Sequence, residues 1–293
     1  MKVGAVVRLG PLGEGEGPAP YRVIREMAKQ MEAAGLDSIW LYDHLLYRWP
    51  GQPTNGIWEC WTMLSALAEA TQRVELGTLV AAVPFRNPAV FAKMIATLDE
   101  ISNGRVIAGL GAGWHQPEFD AFGVPFDHRG SRFDEAIKII KPLLRDGKVD
   151  FQGKYYSAPD CEVAPRGPRP QGPPLLLAGT RPRMLDIVAR EADMWNTAWH
   201  AQPSTAHERL QTIKDACERN GRDPGTLQLS VSVAVAYPDL GGHSNFSTHL
   251  TEGVAEALHG YQELGIEHVI VEFAPFNGPA LERFARAVEQ FRA

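Results

Sequence analysis

"GRVIAGLGAGWHQPE", residues 104–118, sets an unbroken apolar run against glycines at 109, 111 and 113 and then a tryptophan, Trp114. Val106, Ile107, Ala108 and Leu110 show no polar alternation, which is how a strand buried on both faces of a parallel sheet reads. The glycines add backbone freedom to the unfolded chain and nothing to packing, so they mark a place where something comes close to the backbone. A dinucleotide turn is not that thing, because its last glycine would fall where Trp114 stands. A Walker loop is absent too: Gly153-Lys154 runs into Tyr155. The following "QPEFDAFGVPFDHRG" reads as a loop.

Seven similar runs flank this one. Strands are expected at 3–8, 37–42, 74–80, 105–111, 174–179, 193–198, 228–236 and 268–273. Helical patterns lie between them, near 20–34, 57–71, 88–102, 129–146, 181–191, 204–220, 251–264 and 279–291. Gly35 and Gly147 sit just past helices, and Pro88 and Pro182 near helix starts, as end signals should. Eight strand–helix units predict a (β/α)8 TIM barrel, α/β in class, with residues 1–293 as one domain. A doubly wound sheet is the competitor, but "RLGPLGEGEGPAP" after the first strand is acidic and suits a mobile loop better than a phosphate cradle. The rhythm breaks once, in the Pro/Gly-rich insertion at 151–174.

A net charge of −6 leaves no general basic face for nucleic acid or an anionic membrane. "MKVGAVVRLG" has too short an apolar stretch for a leader or a span and reads as a first strand. Cys60, Cys161 and Cys217 are odd in number and far apart, which suits packing in a reducing cytoplasm.

Barrel sites form at the C-terminal ends of the strands. Asp43-His44, "GTLVAAVPFRNP", Gly111 to Trp114, Gly179-Thr180-Arg181 and Asn196-Thr197 with Trp199 all fall there. The insertion leaves from the other rim, so Arg166 and Arg169 read as solvated charges. Glu118 and Glu135 are expected in structural ion pairs, for example with Arg129 or Arg132. His115 and Glu118 lack a third ligand at metal spacing, so no metal is expected.

"DSIWLYDHLL", then the block from Arg73 to Phe126 with "LGT", "RNP" and "G-G-GW---E---FG", then "PLLLAG" and "EADMWNT" resemble the bacterial luciferase-like monooxygenase superfamily. Within it they resemble the branch of oxidoreductases that use coenzyme F420. The match runs from the first strand to the sixth, about two-thirds of the chain. The resemblance implies a homodimeric barrel with a flat deazaflavin ring lying across the mouth, on backbone at Gly111, Ala112 and Gly113. It implies a bulge behind the ring at Leu79 and Val80, joined by a non-prolyl cis peptide. Asp43 and His44 would line the ring's reactive edge, with His44 as the catalytic proton-exchange group. Phosphate would sit at Gly179, Thr180 and Arg181, where a helix N-terminus favours an anion, with Arg183 assisting and Asn196 and Thr197 bordering. Trp49, Trp114 and Trp199 would wall the substrate pocket.

Two departures matter. Sugar-phosphate dehydrogenases of this branch carry a catalytic glutamate where this chain has Trp114, so that activity is not expected. Flavin-using monooxygenases of the family often carry a second histidine where this chain has Leu45. The expected function is hydride transfer between coenzyme F420 and a small organic substrate. The alternatives are an FMN-dependent monooxygenase and a non-catalytic flavin- or deazaflavin-binding barrel.

Overall fold

The structure, a computed structural model, describes residues 1–11 and 17–293. The loop expected to be mobile after the first strand lies, over residues 12–16, outside them. Eight parallel strands close a barrel: β1 Lys2–Val6, β2 Ser38–Leu41, β3 Glu75–Thr78, β4 Val106–Gly111, β5 Leu175–Ala178, β6 Met194–Thr197, β7 Gln228–Ala236 and β8 His268–Ala274. β4 pairs with β5 through Ala108↔Leu175, and β8 returns to β1 through His268↔Lys2. The outer ring is α1 Tyr21–Ala33, α2 Cys60–Ala70, α3 Pro88–Ile101, α4 Arg129–Arg145, α5 Pro182–Glu191, α6 Pro203–Arg219, α7 Val254–Glu263 and α8 Gly278–Arg292.

End signals in the sequence do their expected work. Asn87 caps α3 by accepting from the amides of Ala89 and Val90, with Pro88 at the first turn. Gly35 and Gly147 take left-handed backbone, at φ +82° and +80°, and reverse the chain after α1 and α4. The main apolar core lies between the strands and the helices. A second cluster of Val6, Trp40, Ile107, Leu176, Met194 and Ile270 fills the barrel itself. Period-two alternation then points Arg8, Tyr42, Asn196 and Glu272, two positions further along their strands, towards the mouth.

Three expectations need correction. The stretch after Trp114 is not all loop: Gln116–Phe122 is a helix, started by Pro117 and closed by Gly123 at φ +69°. The insertion at 151–174 is built partly as a hairpin, Lys148–Gln152 against Ser157–Glu162. Arg166 and Arg169 stay away from the mouth as expected but also act as braces, Arg166 while exposed to solvent. Arg169 binds the fully buried Asp99 carboxylate with Nε and Nη2, and Nη2 also reaches the Val106 carbonyl at 2.6 Å, tying α3 to the start of β4. Arg166 Nη2 donates to the carbonyls of Leu144, Arg145 and Pro170.

Candidate active site

A cavity of about 850 Å³ opens at the C-terminal mouth. That is within the ordinary range for a site holding a drug-sized or cofactor-sized ligand. Among the residues expected to meet a cofactor, Asp43, His44, Leu79, Val80, Gly111, Ala112, Gly113, Gly179, Thr180, Arg181 and Asn196 line it. Trp114 and Trp199 line it too, while Trp49 stands behind Trp114 with ring centroids 6.0 Å apart. The peptide bonds Leu79–Val80 and Ala198–Trp199 are both cis.

One side of the cavity is built around His44. Glu118, 1% exposed, comes from the helix Gln116–Phe122 and places one oxygen 2.9 Å from His44 Nδ1. Its other oxygen accepts from the Leu45 amide at 2.8 Å. Glu118 therefore does not pair with Arg129 or Arg132; the short helix turns it inward, towards the loop after β2. Glu135 also departs from expectation, because it accepts from the amides of Lys154, Tyr155 and Tyr156. The Tyr47 ring lies 4.5 Å from the His44 ring and the Trp114 ring meets it edge-on at 5.6 Å. His115 stands beside this group and accepts the Arg48 amide at Nε2, 3.0 Å away. Burial outweighs the attraction of Glu118 there and holds the His115 imidazole below its ordinary value.

Part of the same cavity is cationic. Arg129, Arg181 and Arg183 line it, together with Gly130 and Ser131 from the first turn of α4. Arg181 is the N-cap of α5, so two helix N-termini face one end of one cavity. Arg129 donates to the Gly113 carbonyl at 2.8 Å and lies over the Phe126 ring. Burial, and then the Arg181 charge nearby, pull the Arg129 guanidinium below its ordinary value. Among the described residues none of the three arginines makes an ion pair.

The glycines have an account that needs no ligand. A Cβ at Gly109 would fall 1.8 Å from the Thr78 carbonyl oxygen, one at Gly111 2.6 Å from Val80 Cγ2, and one at Gly113 2.4 Å from Phe119 Cζ. Gly113 also has φ +74°. The protein's own atoms fill these places, so a valine at 113 meets Phe119 before any cofactor. Asp43 borders the cavity as a locked carboxylate: Arg86 grips both oxygens, at 2.6 and 3.0 Å, and the Ala82 amide reaches Oδ2 at 2.9 Å. Thr197 is buried outside the lining, with its hydroxyl 3.1 Å from His200 Nε2. Asn196 reaches the cavity while bonded to Ser230 and Ser232.

Sequence reasoning passed over a second polar group at the mouth. The Tyr42 hydroxyl donates to Glu272, and Arg8 Nε lies 3.5 Å from the other carboxylate oxygen. Burial foremost raises both Tyr42 and Glu272. A glutamate in the apolar strand "HVIVEFA" was the available signal. Trp199, which meets Tyr42 edge-on at 6.2 Å, stacks on Phe246 at 4.0 Å.

A family profile described as "Luciferase-like monooxygenase" matches residues 1–239. An F420-dependent glucose-6-phosphate dehydrogenase of Amycolatopsis mediterranei is 37% identical over 221 residues, 74% of this chain and 65% of the relative. The pyrimidine monooxygenase RutA of an Enterobacter species is 32% identical over 188 residues, 60% of this chain and 50% of that protein. The chain thus spans between half and two-thirds of the length of these relatives. A solved F420-dependent secondary alcohol dehydrogenase superposes with a TM-score of 0.80 at 19% identity, covering 100% of this chain and 99% of its own. The coenzyme F420-dependent tetrahydromethanopterin reductase of Methanopyrus kandleri gives 0.76 at 18% identity, covering 99% and 97%. The chain belongs to the luciferase-like monooxygenase family.

Proposed function

We propose that this member of the family moves hydride between coenzyme F420 and a small organic substrate, with His44 exchanging the accompanying proton. The observation that carries the reading is one cavity lined both by His44 and by three arginines that make no ion pair among the described residues. Leu79, Val80, Gly111, Ala112, Gly113 and Asn196 would hold the ring. Gly179, Thr180 and Arg181 would hold its phosphate, helped by Arg129, Arg183 and the first turn of α4. Three like charges lining one cavity, with no ion-pair partner among the described residues, suit an anionic ligand.

When bound, the deazaflavin supplies a two-electron hydride donor or acceptor. His44 does the proton work: for an alcohol, the imidazole accepts the hydroxyl proton as the C–H hydride departs, and for a carbonyl it returns it. Trp114, with Trp49 behind it, and the Trp199–Phe246 stack give apolar, planar walls. A substrate with a flat or apolar body fits them better than a sugar phosphate, and no carboxylate stands at position 114.

A second reading, an FMN-dependent monooxygenase, draws support from the likeness to RutA. Side-by-side titrations by fluorescence quenching separate the two. Coenzyme F420 is expected to bind at micromolar or tighter affinity and FMN more weakly, with no oxygen uptake on reduced FMN. Tighter FMN binding with oxygen uptake reverses the assignment, and F420 binding without turnover on any alcohol, ketone, imine or activated alkene makes this a binding protein. The protein works as a homodimer in this proposal. Tyr21, Trp58 and Met63 border an exposed apolar hollow between α1 and α2 that a second copy could cover, and sedimentation equilibrium decides it.

A further inference from the structure

We infer that Glu118 is a positioning residue for His44, fixing which imidazole nitrogen is left bare for proton transfer; this rests on the proton-exchange role proposed for His44. The Leu45 amide can only donate, so it holds one Glu118 oxygen as an acceptor at 2.8 Å. The other oxygen lies 2.9 Å from His44 Nδ1. An ionised carboxylate has no proton to give, so in the neutral imidazole the contact places the hydrogen on Nδ1 and leaves Nε2 with its lone pair. No hydrogen bond to His44 Nε2 is made among the described residues. A neutral imidazole in water divides between two tautomers, and only the one with bare Nε2 can take a proton there.

The surroundings make Glu118 a fixed reference. Its carboxylate is 1% exposed and, among the described residues, pairs with no guanidinium or ammonium, so its orientation depends on the two N–H donors of the loop after β2. Phe119, next to it, is fully buried and packs on Phe85 and Phe126, anchoring the short helix. Tyr47 and Trp114 limit rotation of the His44 ring from two sides. A buried carboxylate without a cation is unfavourable unless it is well bonded, and an apolar residue would pack this helix as well. Its position makes sense through what it does to His44.

The test is Glu118→Gln beside Glu118→Asp. Glutamine keeps the shape but can turn its NH₂ to Nδ1 and so favour the hydrogen on Nε2. Nitrogen-15 NMR of the ligand-free protein, with His44 assigned by loss of its signals in His44→Ala, is expected to show bare Nε2 in the wild type and a shift towards protonated Nε2 in Glu118→Gln. This readout needs no cofactor. With coenzyme F420 and a turned-over substrate, Glu118→Gln is expected to lose about 10²-fold in kcat, while cofactor Kd changes less than threefold. Glu118→Asp, which keeps the acceptor, recovers part of the loss. Protonated Nε2 in the wild type, or an unchanged tautomer in Glu118→Gln, overturns the inference; so does a shifted tautomer with kcat within threefold. Absence of turnover in the wild type defeats the functional proposal instead, and the NMR result then decides the tautomer assignment by itself.

Discussion

Both ends of this barrel hold a hollow, about 850 Å³ at the mouth and about 500 Å³ at the base, and both hold a histidine with polar neighbours. The two ends treat those groups in opposite ways. At the base, His268 is 1% exposed, its Nε2 lies 2.7 Å from Ser38 Oγ, and that oxygen also accepts from Trp40. Lys2 is paired with Glu75 at 2.7 Å, and Asp193 with Arg145 at 2.5 Å. At the mouth, His44 has one nitrogen committed to Glu118, and Arg181 and Arg183 are committed to nothing described. A hollow whose charged groups are mostly committed to one another offers a ligand little, because binding must first break those contacts. Uncommitted positive charge separates the two ends: among the described residues the base keeps a free acceptor, the buried Glu75 Oε2, while the mouth keeps Arg181 and Arg183.

The largest expected effect tests this division directly. His44→Ala should lower turnover by about 10²–10⁴-fold with cofactor Kd nearly unchanged, and at some cost in thermal stability because the buried Glu118 oxygen loses its Nδ1–H partner. His268→Ala should instead leave turnover of the folded fraction within threefold, with a stability loss of about 1–3 kcal/mol for the buried Ser38 hydroxyl that loses its imidazole partner. Steady-state kinetics and thermal unfolding of both variants decide it. Equal loss of turnover in the two would break the comparison.

Acid titration gives the next effect. Burial, with Lys2 a lesser cause, pulls the His268 imidazole down to about 3, whereas the unfolded chain takes up this proton near its ordinary value of about 6.5. The folded-state value is depressed, so the unfolded state binds more protons between the two. Stability therefore falls as pH falls through that window, by about 1.4 kcal/mol per unit from this group. Urea unfolding at steps from pH 7 to pH 4 measures it. A His268→Asn variant should lose that part of the slope, and an unchanged slope means that other groups carry it.

Fold and site were legible to different degrees. Eight strands and eight helices could be read because parallel barrel strands are uniformly apolar and their helices end at Gly and Pro, a local code. His44 and the Gly179–Arg181 turn could be placed because strand order alone puts them at the mouth. What escaped was pairing across the sheet. Glu118 faces His44 only because Gln116–Phe122 is a helix, and that helix was hidden in a stretch rich in Pro and Gly. Arg129 joins Arg181 across the closing β4–β5 seam, 52 positions apart in sequence. Asp43 looked free until Arg86, inside the "RNP" motif, was found on it. The glycines have a second explanation of the same kind: Val80 and Phe119, whose atoms they make room for, are close in space, and sequence shows only the room.

The smallest effects compare single charges at the two ends. Arg181→Ala removes one of three guanidiniums from a pocket where none makes an ion pair among the described residues, so its expected contribution is to the ligand. A charge-assisted contact of about 1.5 kcal/mol predicts roughly tenfold weaker binding of coenzyme F420. The residual binding should also depend less on salt, because an exposed cation–anion contact is screened over about 8 Å at physiological ionic strength. Thermal stability should hold or rise slightly, since Arg129 loses a like-charged neighbour. Lys2→Ala at the base removes a cation of the same sign, but from a partly exposed pair with Glu75, 54% and 29% accessible. Such a pair contributes about 0.2–1 kcal/mol to folding and should leave cofactor affinity untouched. Titrations of both variants at low and physiological salt give the answer in one series. Unchanged affinity in Arg181→Ala would move the anion towards Arg129 and the first turn of α4, and weaker binding in Lys2→Ala would mean that the base is not the closed structural end described above.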